Sequence, residues 1–499
     1  MPRCLVAIDF GTGAVRSVVF DTRGKQLGAA YREISYDTPS EYPGACEFDG
    51  AQMWRLIGRV VRKSLAEAGV RDRDVLAVAT TSQRHGMALI GKRGETLYAG
   101  PNRDSRGRSV AGNEPVDEIY RLNGHWPMPI IVPYRLRWFE RHHPEVLERA
   151  AAMVMPNDWV TYQLCGEAHV SDSSGIESEL MDLAKGEWSR RLIEIFGVDK
   201  RLLPPILKGG EIAGKVTAKA AAMTGLREGT PVAVGGGDTN CALLACGATR
   251  PGEIAIVAGT TAPIMVVLDK PDVDMASRTW TGIHVAHGRW VRESNAGQAG
   301  MLLRWFRDTF SDYRGANAYD RLFEPAKVIP PGAEGLMAVM GAASKDPSVP
   351  WSSNRAFLFA PGRPVMFEGH VGRPHFARAM LESVAYAIKG HYDQLPEARD
   401  GRGKPLAVCG GCTQGALFND ILSNVLERPL VKPRAPEVAA LGAAMCAAVG
   451  AGVYATLDEA AKAMTRLDEA ATPDKATSAR YQELYGKWRD LHEDVRQWG

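Results

Sequence analysis

Asp238 stands where an acid can do chemistry. It follows Val232-Ala233-Val234 and Gly235-Gly236-Gly237, and it leads into an Ala/Leu-rich stretch that reads as a helix. Glycines at the end of a buried strand let backbone approach a ligand closely, and a carboxylate at that tip is free to handle a proton or a metal ion. Two compatible roles fit it. It could be the general base for a hydroxyl attacking a phosphoryl group, or the N-cap of a helix starting near Asn240. Two Gly/Thr turns supply what a phosphate needs. Asp9-Phe10-Gly11-Thr12-Gly13 follows one apolar strand, and Gly259-Thr260-Thr261 follows another. Successive N–H groups in such turns form an anion nest, and Thr12 and Arg16 add a hydroxyl and a cation. Asp9 opposes phosphate on its own. It makes sense with a divalent ion between, since Mg2+ takes one or two carboxylates plus phosphate oxygens and waters. A plain hairpin turn is the simpler reading of either segment. Their repetition favours two turns facing each other across a cleft, as a bound nucleoside triphosphate would need.

Three further clusters are chemically suggestive. Arg84 and His85 lie in a polar run, Thr80 to Met87, after a short apolar strand. They could hydrogen-bond sugar hydroxyls or be satisfied surface or core groups. Asn102-Arg103-Asp104-Ser105-Arg106 is a second polar run. Gly410-Gly411 closes another strand, and could let an adenine or ribose lie on backbone or could simply be a close strand–helix turn. No P-loop is present. Cys409 and Cys412 form a lone C-x-x-C that could be redox-active or half a metal site; without a second pair to complete a zinc site, small buried residues lining a glycine loop is the simpler reading.

The elements that must hold these groups alternate. Antiparallel strands over residues 4–35 precede a helix opened by Asp49 and stopped by Gly69. A strand, Val75 to Ala79, follows. After Glu253 the sequence repeats the theme: a strand–Gly-Thr–strand hairpin, strands over 279–294, and a helix from Ala296 to Phe310. Helices over 376–392, 414–427, 437–449 and 476–495 follow, interleaved with a strand at 406–408. Such alternation, done twice, predicts two α/β domains with the ligand in the crevice between them. Composition excludes other classes. The 499 residues carry 60 basic and 58 acidic side chains, a net charge of +2, so no field draws nucleic acid. No run of about twenty apolar residues suggests a membrane span, and Met1 leads almost directly into a strand rather than a signal peptide. Eight cysteines suit a reduced, cytoplasmic protein.

Taken as an ordered set, Asp9-Phe10-Gly11-Thr12-Gly13, Gly236-Gly237-Asp238, Gly259-Thr260-Thr261, Arg378-Ala379 with Glu382, Gly410-Gly411 and Ala440-Leu441-Gly442-Ala443-Ala444 resemble the FGGY carbohydrate kinases from about residue 4 to 450. The resemblance implies two actin-like (ribonuclease H-like) domains, 1–244 on the sugar side and 245–499 on the nucleotide side, with an interdomain cleft. It implies transfer of the γ-phosphoryl of ATP, with Mg2+, to a hydroxyl of a small sugar or polyol. Asp238 becomes the catalytic base. Asp9, with Asp238, becomes the metal-linked carboxylate. Thr12, Gly13 and Arg16 match the first phosphate turn, Gly259 and Thr260 the second, and Gly300, Gly410 and Gly411 nucleotide-side positions. Arg84, His85, Asp104, Asp238 and Thr239 become substrate contacts. A homodimer is common in the family.

Within the family, Cys46-Glu47-Phe48-Asp49, Asn157-Asp158-Trp159 and Arg304-Trp305-Phe306-Arg307-Asp308 resemble the autoinducer-2 kinase branch. Gln83-Arg84 is similar to glycerol kinases, and Gln83 with His85-Gly86 to xylulokinases. The implied acceptor is a linear dihydroxypentanedione or a pentulose such as xylulose. His85 departs from the autoinducer-2 branch, and Met340-Gly341-Ala342-Ala343-Ser344 departs from the Gly-Glu-Arg loop of many members. The duplicated hairpins equally fit a nucleotide-driven conformational ATPase of the actin or heat-shock-70 type without a sugar substrate.

Overall fold

The computed structural model describes residues 3–315, 317–341, 356–359, 371–401 and 404–496. Residues 342–344 of the departing loop lie outside these. The chain opens with β1 (Cys4–Phe10), β2 (Ala14–Asp21) and β3 (Gln26–Glu33), antiparallel neighbours. Next comes α1 (Gly50–Ala68). The Asp49 carboxylate accepts the Gln52 N–H at 2.6 Å and Gly69, at φ 62°, ends the helix, so the start and stop signals both act as their chemistry requires. Its apolar face, including Trp54, Ile57 and Val61, covers one side of the sheet. β4 (Val75–Ser82) runs parallel to β1. Helix α2 (Val132–His142) belongs to a long excursion. β5 (Ile212–Lys215) and β6 (Pro231–Gly237) then complete a six-stranded sheet in the order β5-β6-β4-β1-β2-β3.

β6 ends in its three glycines, as the sequence suggests, with Gly236 beside Thr81 and Gly237 beside Ser82 of β4. Phe10 of β1 also lies beside Ser82. The C-terminal tips of three parallel strands therefore end level, and everything that follows each tip emerges along one edge.

Helix α3 (Asp238–Ala245) starts at once, and the boundary expected at 244/245 falls at its end. The second half then repeats the first. β7 (Ile254–Val257) and β8 (Thr261–Leu268) form the second Gly/Thr hairpin, and β9 (Trp280–Ile283) and β10 (Trp290–Gln298) extend it. Helix α4 (Gly300–Phe310) begins four residues later than expected, because β10 keeps pairing with β8 as far as Gln298 opposite Thr261. β11 (Leu406–Cys409), β12 (Leu430–Pro433), helix α5 (Val438–Gly450) and β13 (Leu467–Ala471) finish a seven-stranded sheet, β9-β10-β8-β7-β11-β12-β13. In both sheets an antiparallel hairpin leads to three mutually parallel strands and an antiparallel edge.

The two sheets are joined by exchanged helices. α5, from the second half, packs Leu441, Ala444 and Ala448 on the first sheet, while Leu243 of α3 joins the core of the second. α3 and α5 meet at Gly442, where an added Cβ would lie 1.9 Å from the Cys241 carbonyl oxygen. Only glycine admits that approach. Among the described residues no helix is long and apolar enough to cross a membrane.

Candidate active site

The level strand tips frame a cleft of about 3450 Å³ between the halves, and Asp9, Thr12, Gly13, Arg16, Arg84, His85, Asp238, Thr239, Gly259, Thr260, Gly300, Gly410 and Gly411 all line it. Asp238 is the first residue of α3, its Oδ1 accepting the Thr239 N–H at 2.7 Å. Burial pushes its carboxyl up to about 6 although Arg84 and the Thr239 N–H pull it down. A carboxylate near that value is basic enough to take a proton and still ionised at neutral pH.

On one side of Asp238 lies a charged cluster. Arg84 Nη1 donates to Glu177 Oε1 at 3.1 Å and to Glu293 Oε2 at 2.7 Å, and its Nη2 donates to Glu293 Oε1 at 2.9 Å. The fork on Glu293 joins the halves, since Glu293 belongs to β10. His85 adopts φ 58° and puts Nε2 3.3 Å from Glu177 Oε2. Burial pulls the His85 imidazole below its ordinary range although Glu177 faces it, and takes His125 down to about 4. Burial alone would raise the Glu177 carboxyl, but Arg84, then His85 and His125, hold it down at about 2. Trp280 of β9 packs its ring against His85 and His125. This end offers two imidazoles, an aromatic wall and two carboxylates bound to one guanidinium, a set suited to hydroxyl groups.

On the other side lie the two Gly/Thr turns. Gly11 donates its N–H to the Ala14 carbonyl at 3.0 Å and closes the first. Asn102 Nδ2 donates to the Thr12 hydroxyl at 3.2 Å. Arg16 stands 3.6 Å from Asp9 and 3.3 Å from Glu437. Asp9 Oδ1 is buried with no hydrogen-bond partner, and burial, against the pull of Arg16, pushes the carboxyl up to about 7. In the second turn Gly300 donates to the Gly259 carbonyl at 2.9 Å and Cys412 to the Ala258 carbonyl at 3.0 Å. Gly410, at φ 99°, would bring a Cβ to 2.5 Å from the Ala258 oxygen, so the two loops touch through a glycine. No cluster of three or more ligating side chains occurs among the described residues. The orphaned Asp9 oxygen fits a cation that arrives with phosphate rather than one held by protein alone.

Matches to known proteins follow this geometry. The model for the N-terminal domain of the FGGY family of carbohydrate kinases matches residues 4–245, and that for its C-terminal domain matches 254–451. The chain belongs to the FGGY family of carbohydrate kinases. This FGGY kinase is 31% identical to the autoinducer-2 kinase of Salmonella paratyphi B over 99% of its own length and 94% of that protein. It is 30% identical to the autoinducer-2 kinase of Escherichia coli K12, covering 98% and 94%. A crystal structure of xylulose kinase from Rhodospirillum rubrum superimposes with a TM-score of 0.81 at 26% identity, covering 99% of each chain. Glycerol kinase from Plasmodium falciparum with ADP shares the fold, with a TM-score of 0.80 at 16% identity over 99% and 98%. The FGGY kinase is thus an ATP-dependent phosphotransferase with a sugar-class alcohol as acceptor, and a sugar-independent ATPase is not favoured.

One expected contact does not reach the cleft of the FGGY kinase. Asp104 is wholly buried, accepting from the Tyr98 hydroxyl and from Arg106 Nε at 3.0 Å. Arg106 in turn bridges to Glu47 and lies over the Trp138 ring. Asp104 therefore anchors a loop, and its neighbours Asn102 and Arg103 line the wall. Sequence reasoning missed Glu177, Glu293, His125 and Trp280. A signal existed for Glu293: Arg292-Glu293-Ser294-Asn295 is an unusually polar run for a strand, and it is almost entirely buried.

Proposed function

We propose that this enzyme transfers the γ-phosphoryl of ATP, with Mg2+, to a hydroxyl of a small neutral ketose or polyol, either a linear dihydroxypentanedione or a pentulose such as xylulose. The observation that carries the proposal is the site of Asp238. It is a carboxyl raised to about 6 at the meeting edge of the sheets, with hydroxyl-binding groups on one side and phosphate turns on the other. Asp238 takes the proton of the attacking hydroxyl. Arg84, His85 and Thr239 orient the acceptor, and Glu177 and Glu293 hold Arg84 in place. The turns at Thr12-Gly13 and Gly259-Thr260 hold the phosphates, and Gly300, Gly410 and Gly411 give room for the nucleoside. Bound Mg2+ would supply charge neutralisation between the phosphates, and Asp9 is the residue that would face it. The relatives' names support the acceptor class, because autoinducer-2 and xylulose kinases are both similar over nearly the whole chain. Eight free, buried cysteines suit a cytoplasmic enzyme.

The test is ADP release from ATP with a panel of pentuloses, polyols and linear dihydroxypentanedione. Strong stimulation by one neutral acceptor is expected. ATP turnover of equal rate with and without every acceptor would overturn the proposal.

A further inference from the structure

Arg135 is a cation in the wrong place for stability. It sits on α2, completely buried, with Nε lacking a hydrogen-bond partner, and among the described residues no carboxylate pairs with it. Burying an uncompensated charge is expensive, and an apolar side chain of similar volume would cost less. Its guanidinium instead meets backbone. Nη2 donates to the His85 carbonyl, and Nη1 lies 3.4 Å from the Pro101 carbonyl and 3.5 Å from that of Gly100.

Those carbonyls belong to two loops that line the cleft. One carries Arg84 and His85, and the other runs on into Asn102 and Arg103. The loops are also linked directly, since the Asn102 N–H donates to Gln83 Oε1 at 3.0 Å. His85 has the left-handed backbone, φ 58°, that a side chain other than glycine rarely adopts. That conformation brings its imidazole to 3.3 Å from Glu177 and against Trp280. A conformation so disfavoured persists only when its surroundings over-determine it. A fixed cation on the carbonyl of the strained residue does this directly, because relaxing the peptide would carry the oxygen away from the guanidinium.

We propose that Arg135 is a positioning residue of the acceptor site. It pins His85 in the left-handed conformation that presents the imidazole to the acceptor, and it ties both loops into one wall. It therefore governs acceptor affinity and leaves nucleotide affinity alone. The proposal rests on the reading of His85 as an acceptor contact.

The experiment is a double-mutant cycle. Michaelis constants for the acceptor and for ATP are measured in the wild type, Arg135→Lys, Arg135→Met, His85→Asn and His85→Asn/Arg135→Met. Asparagine tolerates the left-handed backbone, so His85→Asn removes only the imidazole. Arg135→Met should raise the acceptor constant by ~10–100-fold, the scale on which a misplaced group costs, with the ATP constant nearly unmoved. Arg135→Lys, which keeps charge but cannot span three carbonyls, should fall between. In the His85→Asn background the Arg135→Met effect should largely vanish. If Arg135→Met does not fold, Arg135→Lys and its double variant carry the same comparison. Equal rises in both constants, or full additivity with His85→Asn, would show a merely structural arginine and overturn the proposal. If the wild type phosphorylates no acceptor, the acceptor-site reading fails first and takes this inference with it. If the wild type is active and the Arg135 variants keep its acceptor constant, only this inference fails.

Discussion

Replacing Asp238 with asparagine keeps the shape of the side chain and its acceptor for the Thr239 N–H, and removes only basicity. Loss of a positioned general base costs ~10²–10⁴-fold in turnover, or about 3–5 kcal/mol of barrier. The structure also fixes a pH signature. With the carboxyl at about 6, roughly nine-tenths of the wild type holds the ionised base at pH 7 and only about one-tenth at pH 5. Because the base works ionised, activity is lost as pH falls through 6, and kcat/KM should drop about tenfold between pH 7 and pH 5. A carboxyl at the ordinary 3.8 would leave the profile nearly flat over that interval. Asp9 titrates close by, at about 7, and answers chiefly to Arg16 after burial. Arg84, by contrast, is the charge that most lowers Asp238. Arg84→Met should therefore move the acid limb to higher pH, and Glu293→Gln, which removes a charge that raises Asp238, should move it lower. The assay is steady-state ADP release from pH 5 to 8 with saturating ATP, alongside nucleotide binding by calorimetry. An Asp238→Asn enzyme that binds ATP and turns over near the wild-type rate would refute the base assignment. So would an acid limb that ignores Arg84.

Other consequences are checked more briefly. Glu293→Gln and Arg84→Met each break a buried pair and leave a charge short of its partner, which costs ~3–5 kcal/mol of stability. Denaturant melts should show this, and the acceptor Michaelis constant should rise more than that for ATP. Gly410→Ala forces a side chain onto a φ of 99° and to 2.5 Å from the Ala258 oxygen, so about 1–3 kcal/mol of stability and much of the ATP affinity should be lost, read by melting and by nucleotide titration. Asp158 is wholly buried with Oδ2 unpartnered, and burial pushes its carboxyl up to about 8 against hydrogen bonds from Ser171 and Asn157. A raised folded value means stability present in acid and lost as pH rises from about 4 to about 8. Asp158→Asn should remove that share of the decline in melting temperature, and an unchanged pH dependence would rule Asp158 out.

The repeated hairpin was legible because a strand, a Gly-Thr pair and a second strand leave a local trace, and local traces survive in sequence. The delivery of Arg84, His85 and Asp238 to a common edge was legible for a related reason, as each follows directly on a strand tip. What could not be read was pairing across the chain. Arg84 meets Glu177 from 93 residues away and Glu293 from 209 away, and nothing near any of them announces the partner. The glycines ending β6 were legible as the close of a buried strand, but the contact that requires one was not: Gly235 is glycine because a Cβ there would sit 1.9 Å from the Thr80 oxygen inside the sheet. The Ala-rich helix over 437–449 was foreseen, but its destination on the other half's sheet was not, since small residues promise close packing without naming what is packed.

On the proposed reading, the duplication also explains why one acid is free to act. In each half, the helix that leaves the third parallel strand begins beside a carboxylate: Asp238 at the start of α3, and Glu437 just before α5. Symmetry alone would make either a base. Arg16 breaks the tie, standing 3.3 Å from Glu437 and 3.6 Å from Asp9, so the second half's acid is engaged by a guanidinium beside the first Gly/Thr turn. Asp238 faces Arg84, whose charge is already divided between Glu177 and Glu293. Its carboxyl therefore rises with burial where a bare arginine would have held it down. On the proposed reading, Glu177 and Glu293 thus do two things at once: they fix Arg84 for the acceptor, and they leave Asp238 basic enough to take its proton.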